Sequence, residues 1–498
     1  MKRHGSLGPV LALTLGVFAR PAGAQLPAEG QPIRTNRYTI DLYQGPVLAS
    51  TRVTGLAGAF VAMAEGVDGD SQNPASPAVR SAYSRDHFDY DLGISLTFPS
   101  TLTNTDFFNS GRRTVLPEGE QSGFVFLGIA LNLQLGPWGV GLTTDLQRYS
   151  LNRARTGQVG VNKDQVVGEI AVEHVQLAHA FADGQVVIGV GERAGTLSVT
   201  NESAPKASEQ QLFSTLGAGF EAGFVWRPND LQFRLGGAFR SGVTTEAAAT
   251  SKLRVLYAGD ASNELWLPNQ VSLPWDLNLG LAIQFGPRPL NPHWVDPHDL
   301  LTRVRRYLAW RDRERQRRRA FELSQARKQG RNVAAVQAAL DSELSIETAL
   351  DQAYLERAED NVDRVLSRRY LEMKRFHVLV TSSLLISGPV DNAVGLESFL
   401  ERTVQRSGEA VSLSPRLAIE TEVIPRWLKV RAGSYLEPTR FASNRDGMRE
   451  HGTFGLDLKL FPWTVLGLFE DGTEWRASGA IDAARNYFGW GVAIGVWR

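Results

Sequence analysis

The sequence predicts an all-β protein: a transmembrane β-barrel of about 14 antiparallel strands, with an N-terminal plug (hatch) inside it and a helical insert on the periplasmic side. Three observations support this prediction. Long segments alternate apolar with small or polar residues, which is typical of strands with one face in lipid and one in a lumen. Tight turns alternate with long connections. The number of such segments is even, as in bacterial outer-membrane barrels.

Composition excludes several other classes of protein. Lys+Arg and Asp+Glu both total 53 in 498 residues, so no net charge favours nucleic acid as a partner. There is no cysteine, which rules out disulfides, a thiol nucleophile and cysteine-ligated metals. Neither Gly-x-Ser-x-Gly nor His-Glu-x-x-His occurs. We therefore expect no enzyme, no cofactor and no metal, with an outer-membrane hydrolase as the least favoured alternative.

Residues 1–24 have the pattern of a secretory signal peptide. Lys2 and Arg3 form a basic start, residues 10–18 are mostly apolar, and 22–24 fit the small-x-small cleavage pattern. No later segment reaches the roughly 18 apolar residues of a membrane helix. The sequence thus predicts export, cleavage near Ala24 and a place in the outer membrane of a Gram-negative bacterium.

Residues 25–84 are predicted to form a lead-in and a hatch. Residues 25–50 are polar and contain prolines, which favours a loose lead-in. Gly55 and Gly58 follow among alanines, so one face of this stretch can approach another backbone closely, and Phe60 supplies bulk. Such small residues suit a segment folded inside a barrel.

A turn follows at Asn73-Pro74. The proline disfavours a helical conformation at Asn73, whose side chain can hydrogen-bond the local backbone. We predict that the hatch gates the barrel through five residues: Gly55, Gly58, Phe60, Asn73 and Pro74.

These residues also resemble a known family. Residues 55–62, followed by Asn73-Pro74-Ala75, are similar to the hatch of the FadL-type outer-membrane transporters for long-chain fatty acids and other hydrophobic molecules, with Ala57 where a glycine is common. Residues 231–242 and 273–282 resemble strand signatures of that family, which also has 14 strands. The resemblance implies that 55–75 plugs the lumen and moves to admit a hydrophobic small-molecule ligand.

Residues 85–498 are predicted to form the barrel, embedded in outer-membrane lipid. The alternation is clearest at 88–98, 127–135 and 275–285. The predicted strands are 86–98, 123–135, 138–150, 165–181, 185–199, 212–227, 231–243, 274–285, 376–387, 410–424, 427–437, 452–461, 463–481 and 486–498. Asp89 and Asp91 share the inner face of the first strand. They predict a polar patch in the lumen, which hydration explains more simply than acid–base chemistry.

The predicted connections alternate in length. Tight turns are expected at 136–137, 183–184, 228–230, 425–426 and Pro462, and long loops at 99–122, 151–164, 200–211, 244–273, 388–409 and 438–451. If the plug and the N-terminus are periplasmic, connections after even-numbered strands are periplasmic too. This parity places 244–273 and 388–409 outside.

Residues 296–375, between the eighth and ninth strands, form the predicted helical insert. Asp296 can cap the first helix, Gly330 can end it, and Asn332 and Ser345 can cap further helices. Nine arginines between 303 and 319 make the first helix basic. A solvated helix face, anionic lipid head groups and an acidic periplasmic envelope protein all remain open as explanations. The residues predicted to bind such a partner are Arg303, Arg306, Arg313 and Arg317.

Two functions follow from these features. The first is passive uptake of hydrophobic small molecules such as long-chain fatty acids. The alternative is a structural outer-membrane barrel that anchors an envelope, secretion or surface-machinery complex through the insert, because a long ordered insertion is costly unless something uses it.

Overall fold

The protein is described by a computed structural model in its residues 26–99, 105–111, 119–121, 124–153, 164–201, 210–247, 254–256, 264–444, 447–462 and 473–497. The predicted signal peptide lies outside these residues. The long strands are β1 Phe88–Phe98, β2 Val125–Leu135, β3 Trp138–Arg153, β4 Asp164–Phe181, β5 Val186–Asn201, β6 Gln210–Trp226, β7 Phe233–Arg240, β8 Asp276–Phe285, β9 Val378–Ser387, β10 Ser412–Ile424, β11 Leu428–Pro438, β12 Met448–Pro462, β13 Glu474–Ala484 and β14 Tyr487–Val496. The helices are α1 Thr51–Gly55, α2 Pro297–Lys328, α3 Val333–Leu371 and α4 Leu396–Glu401.

The 14 long strands form a closed antiparallel barrel. Each strand is hydrogen-bonded to the next along the chain, and β1 pairs with β14, where Ile94 lies opposite Ile494. Closure leaves no long strand at an open edge. The predicted antiparallel β-barrel and its 14 strands are therefore confirmed, and most strand boundaries agree within a few residues.

The thirteenth strand was predicted at the wrong place. It was expected at 463–481, but β12 continues to Pro462 and β13 begins only at Glu474. The expected tight turn at Pro462 is thus wrong, and residues 463–472 lie outside the described part of the chain. Because apolar residues between 463 and 469 continue the strand-like pattern in the sequence, the pattern could not locate the end of β12.

The two ends of the barrel differ in their connections. Residues 136–137, 182–185, 227–232 and 425–427 link strands at one end, here called the turn end. The opposite end, called the loop end, carries longer connections, although 485–486 between β13 and β14 is short. Antiparallel pairing places the insert at the turn end and the connections 241–275 and 388–411 at the loop end, in agreement with the predicted parity.

The outside of the barrel is apolar and the inside is polar. On β2, Leu133 and Leu135 are 37% and 56% exposed, whereas the alternating Asn132 and Gln134 are buried. The same alternation recurs on β10, where Leu413 is exposed. The period of two thus separates an apolar outer surface from a hydrogen-bonded interior.

The lead-in is ordered, which corrects the expectation of a loose segment. Thr39–Asp41 is the central strand of a five-stranded sheet, parallel to its neighbours Gln270–Leu273 and Ala393–Gly395. Val243–Glu246 and Arg406–Ser407 complete this sheet. These partners belong to loop-end connections, so the lead-in lies at the loop end and not with the start of β1 at the turn end. The premise that the N-terminal lead-in lies on the side of the insert is therefore wrong, and the parity of the connections rests on the strand order alone. A local pattern cannot reveal partners more than 200 residues away.

Three further short strands lie in the connections: Gly119–Gln121, Arg254–Leu256 and Glu264–Trp266. The first pairs with β3, and the other two pair with each other.

The insert is a helical hairpin of α2 and α3. Asp296 caps α2 by accepting a hydrogen bond from His298 N, and Asn332 caps α3 by accepting one from Ala335 N, as predicted. Ser345 is not a cap, since it lies inside the continuous helix α3. No helix in the described residues is both long and apolar enough to cross a membrane.

Candidate functional site

Residues 51–79, here called the internal segment, lie inside the barrel and are almost entirely buried. Side chains of the wall bond its backbone from several directions. Gln134 of β2, Thr381 of β9 and Thr453 of β12 donate to the carbonyls of Pro77, Ala59 and Gly55 over 2.8, 2.7 and 3.1 Å. These bonds satisfy backbone groups that the irregular segment cannot pair within itself.

Small residues bring the internal segment against the wall. A Cβ built on Gly55 would lie only 3.0 Å from the Cα of Gly455 on β12, and one on Gly58 would lie 2.2 Å from Nη1 of Arg416. Gly58 has a φ of +74°, and Ala57 has a φ of 53°. Ala57 thus occupies a left-handed conformation that favours glycine. This is the position at which the FadL-type hatch commonly has a glycine.

Phe60 is fully buried in an apolar cluster. Its neighbours in that cluster include Leu56 and Met63 of the internal segment and Leu379 of β9. One cation is close: the guanidinium of Arg52 lies 5.0 Å from the centre of the ring. Phe60 is therefore surrounded mainly by apolar side chains.

The Asn73-Pro74 turn is bonded to the wall. Asn73 Nδ2 donates to Val61 O over 2.8 Å and to Phe224 O of β6 over 3.0 Å, while its Oδ1 accepts from Ala75 N over 3.0 Å. The Asn73 side chain thus makes the predicted hydrogen bond to the local backbone. It also bonds the barrel wall at Phe224. Pro74 contacts β5 so closely that a Cβ on Gly189 would lie 1.9 Å from its carbonyl oxygen.

Ion pairs between segment and wall were not foreseen from the sequence. Arg52 contacts Glu420 of β10 at 2.8 Å, Glu65 contacts Arg234 of β7 at 2.7 Å, and Asp68 contacts Arg476 of β13 at 2.5 Å. The signal available in the sequence is the presence of charged residues within an otherwise small and apolar stretch. Partial or complete burial of these pairs makes loss of one partner costly.

Glu65 remains charged at neutral pH. Burial alone would raise the pKa of its carboxyl group, but Arg234 and Arg52 lower it, and the resulting pKa is below the ordinary value. The Glu65–Arg234 contact is therefore ionic under physiological conditions.

Asp89 and Asp91 have different hydrogen-bond partners and do not act as one carboxylate pair. Asp91 is buried and accepts a hydrogen bond from Val67 N over 3.1 Å, so it holds the internal segment. Asp89 accepts from Ser84 over 3.2 Å at the turn end. Each has a structural partner, which matches a polar lumen more closely than acid–base chemistry.

Free space lies on both sides of the internal segment. A cavity of about 180 Å³ on its loop-end side is lined by apolar residues such as Leu48 and charged ones such as Arg240. A cavity of about 480 Å³ lies at the turn end, between the start of β1 and the insert near Tyr370. The internal segment thus lies between the loop-end cavity and the turn-end cavity.

An apolar cluster fills the loop end of the barrel. It joins the lead-in to strand ends and loops, and sequence reasoning missed it because its members come from distant parts of the chain. This loop-end cluster includes Ile40, Phe107, Tyr149, Leu197, Phe213, Leu267 and Phe399.

The two helices of the insert have complementary charges. Arg311 and Arg315 of α2 both pair with Asp351 of α3, and Arg318 pairs with Glu347 over 3.2 Å. The predicted partner-binding residues are exposed instead. Arg303, Arg306, Arg313 and Arg317 lie along one side of α2, and only Arg317 has an ion pair among the described residues, with Glu314 of the same helix.

A contact between histidines and an aspartate joins the insert to the barrel. Within the described residues, His87, Asp296 and His298 place possible metal-ligating atoms within 4.8 Å of one another. However, His87 Nδ1 is bonded to Asp296 at 2.9 Å and its ring stacks on that of His298 at 3.9 Å. Stacked rings direct their in-plane lone pairs side by side, so this geometry favours a structural link over a metal site.

The fold and these contacts define a closed antiparallel β-barrel whose lumen contains a bonded internal segment. The sequence matches no protein-family model, and it matches no curated protein sequence. Many solved structures are similar at low sequence identity, and three of them are as follows. The monoaromatic hydrocarbon channel CymD has 9% identity, a TM-score of 0.45, and coverage of 91% of this chain and 97% of its own.

The other two come from Pseudomonas. A FadL homologue of Pseudomonas aeruginosa has 12% identity, a TM-score of 0.44, and coverage of 91% and 99%. The toluene transporter TodX of P. putida has 9% identity, a TM-score of 0.46, and coverage of 91% and 98%. A FadL homologue is thus among the similar structures.

Proposed function

We propose that the protein is an outer-membrane channel of a Gram-negative bacterium that takes up hydrophobic small molecules passively, with residues 51–79 as its gate. The observation that carries this proposal is the position of the internal segment, which lies in the lumen between the loop-end cavity and the turn-end cavity. A molecule that crosses the barrel must pass it.

The outer surface supports a membrane location. Exposed apolar side chains alternate with buried polar ones around the ring, which suits contact with the lipid of an outer membrane. The predicted signal peptide would direct the chain to that compartment. With the turn end in the periplasm, the insert is periplasmic and the loop-end cluster faces outward.

The interior supports a hydrophobic cargo. Aromatic and aliphatic side chains of the loop-end cluster offer apolar surface at the loop end, and the surroundings of Phe60 offer a second apolar cluster in the internal segment. Long-chain fatty acids are the cargo that the family resemblance implies. The ordered bonds of the segment then require a local rearrangement before cargo can pass.

Uptake by cells tests this function. The chain is expressed in a Gram-negative host that lacks its own channels for hydrophobic compounds, and entry of labelled oleate, toluene and maltose is measured. We expect faster entry of oleate or toluene and unchanged entry of maltose. Unchanged entry of both hydrophobic tracers, with the folded barrel verified in the outer membrane, would refute the proposal.

A second candidate function rests on the exposed arginines of α2. The exposed Trp310 is flanked by Arg303, Arg306, Arg313 and Arg317. Acidic residues of α3 pair with other arginines of α2, so these four side chains stay exposed and can contact another surface. This surface suits an acidic periplasmic protein, for which the barrel would be an anchor. Replacing all four arginines with Gln should abolish capture of such a protein in a pull-down, while uptake persists. Equal capture by the original chain and by this variant would contradict the anchoring function.

A further inference from the structure

The insert covers a small cavity at the turn end of the barrel. The residues after α3 lead back to β9, and Tyr370, Met373 and Arg375 from this region line a cavity of about 40 Å³ beneath the internal segment. Arg288, which precedes α2, and Lys429 of β11 line the same cavity. Cations from three separate parts of the chain therefore meet here.

Arg375 is buried without a counter-ion. It is only 7% exposed, and all three of its guanidinium nitrogens are buried and have no hydrogen-bond partner. The guanidinium instead lies 4.8 Å from the ring centre of Tyr370. No other arginine in the described ranges has all three nitrogens in this state. An unpaired buried charge is costly, so an anion beside this guanidinium would stabilise it.

The nearby cations increase that cost. Arg288 Nη1 lies 3.3 Å from His377 Nε2 and 3.6 Å from Glu422 Oε2, which leaves its charge only partly compensated. Lys429 Nζ lies 4.6 Å from the ring centre of Trp497. Like charges close together repel one another, and an anion between them would relieve this repulsion.

The carboxylates that line the cavity are engaged elsewhere. Glu65 pairs with Arg234, Asp68 pairs with Arg476, and Asp91 accepts from the backbone of the internal segment. None of these contacts satisfies the guanidinium of Arg375. The protein itself therefore does not supply the missing acceptor within its described residues.

We propose that this cavity binds a small organic carboxylate through Arg375, with Arg288 adding positive charge. The planar guanidinium offers parallel N–H donors that match a carboxylate. Val79, Ala82, Met373 and Val496 also line the cavity, so the methyl group of an acetate-sized carboxylate finds apolar contacts. This site is independent of the proposed uptake, because a barrel that transports nothing would still bind the anion.

Calorimetric titration of the full chain in a nonionic detergent tests the site. Sodium acetate, sodium hexanoate and the uncharged hexanol are added at constant sodium chloride. We expect at least one carboxylate to bind and hexanol not to bind. A hexanoate affinity about tenfold above that of acetate identifies the head group of an amphipathic acid, and equal affinities identify a free small carboxylate; absence of binding by both carboxylates overturns the proposal.

Variants assign the binding to Arg375. Arg375→Gln should weaken carboxylate binding at least tenfold, whereas the matched control Arg357→Gln on the exposed surface of α3 should bind like the original chain. Arg375→Lys keeps the charge without the planar donors, and we expect intermediate affinity. Original affinity in either folded Arg375 variant overturns the assignment, so one folded variant is sufficient for a decision.

A stability measurement separates a ligand site from a packing role. Without carboxylate, Arg375→Gln should unfold at a denaturant concentration no lower than the original chain, because it removes an unpaired buried charge. Added carboxylate should stabilise the original chain and not the variant. A variant that is less stable without carboxylate and equally stabilised by it would show that Arg375 only packs.

Discussion

Val67 of the internal segment faces Gly93 of β1 so closely that a Cβ built on Gly93 would lie 4.0 Å from Cβ of Val67. This separation is within the range of about 3.5–4.5 Å found between the Cβ atoms of disulfide-bonded cysteines. The chain has no cysteine of its own. A single engineered disulfide can therefore fix the internal segment to the wall.

The double variant Val67→Cys/Gly93→Cys should lose uptake when oxidised and recover it when reduced, since the proposed gate must move relative to β1. Labelled oleate entry is measured in both states, and mass spectrometry verifies the disulfide. Each single variant, oxidised in the same way, is the control. Full uptake by the completely oxidised double variant would show that this contact does not open during transport.

Asn73→Ala should loosen the gate. The substitution removes both hydrogen bonds to the carbonyls of Val61 and Phe224, and a hydrogen bond of this kind contributes about 0.5–1.5 kcal/mol. We expect a higher ionic conductance in planar bilayers than for the original chain. Gln337→Ala on the exposed surface of α3 is the control, and equal conductance of the two variants would argue against a role for Asn73 in closure.

The insert should lie on the periplasmic side. Antiparallel pairing places it at the end opposite to the connection 388–411. In intact cells a membrane-impermeant maleimide should label Glu409→Cys in that connection and should not label Gln337→Cys in the insert. Both positions are exposed, so both should react after the cells are lysed. The reverse labelling pattern in intact cells would invert the proposed orientation.

His377 should make the protein less stable in mild acid. It lies just before β9, where burial and the neighbouring Arg288 lower its pKa from 6.5 to about 4, with Glu420 and Lys429 also near. Between these values the unfolded chain binds more protons than the folded chain, so stability falls as the pH decreases from about 6.5 to about 4 and then levels off. The loss amounts to roughly 3 kcal/mol.

Denaturant unfolding between pH 4 and 7 measures this dependence. His377→Gln cannot take up the proton and should flatten the curve over that interval, whereas His293→Gln at an exposed position should leave the slope unchanged. Equal slopes for His377→Gln and the original chain would assign the acid sensitivity to other groups.

The sequence by itself determined the features that depend on neighbouring residues. Alternation along each strand distinguished the apolar outer face from the polar inner face, because successive side chains of a strand point to opposite sides. Asp296 and Asn332 located both helix starts of the insert, since a cap bonds a backbone group only two or three residues away. The glycines and Asn73 likewise indicated a tightly packed segment.

Only the tertiary structure decided which distant residues meet. Thr39–Asp41 became a strand because Gln270–Leu273 and Ala393–Gly395 lie on either side of it. The pairing of Glu65 with Arg234 and the isolation of Arg375 depend in the same way on segments that closure of the barrel brings together. Burial and charge compensation are properties of such assembled surroundings, and a local sequence pattern carries no record of them.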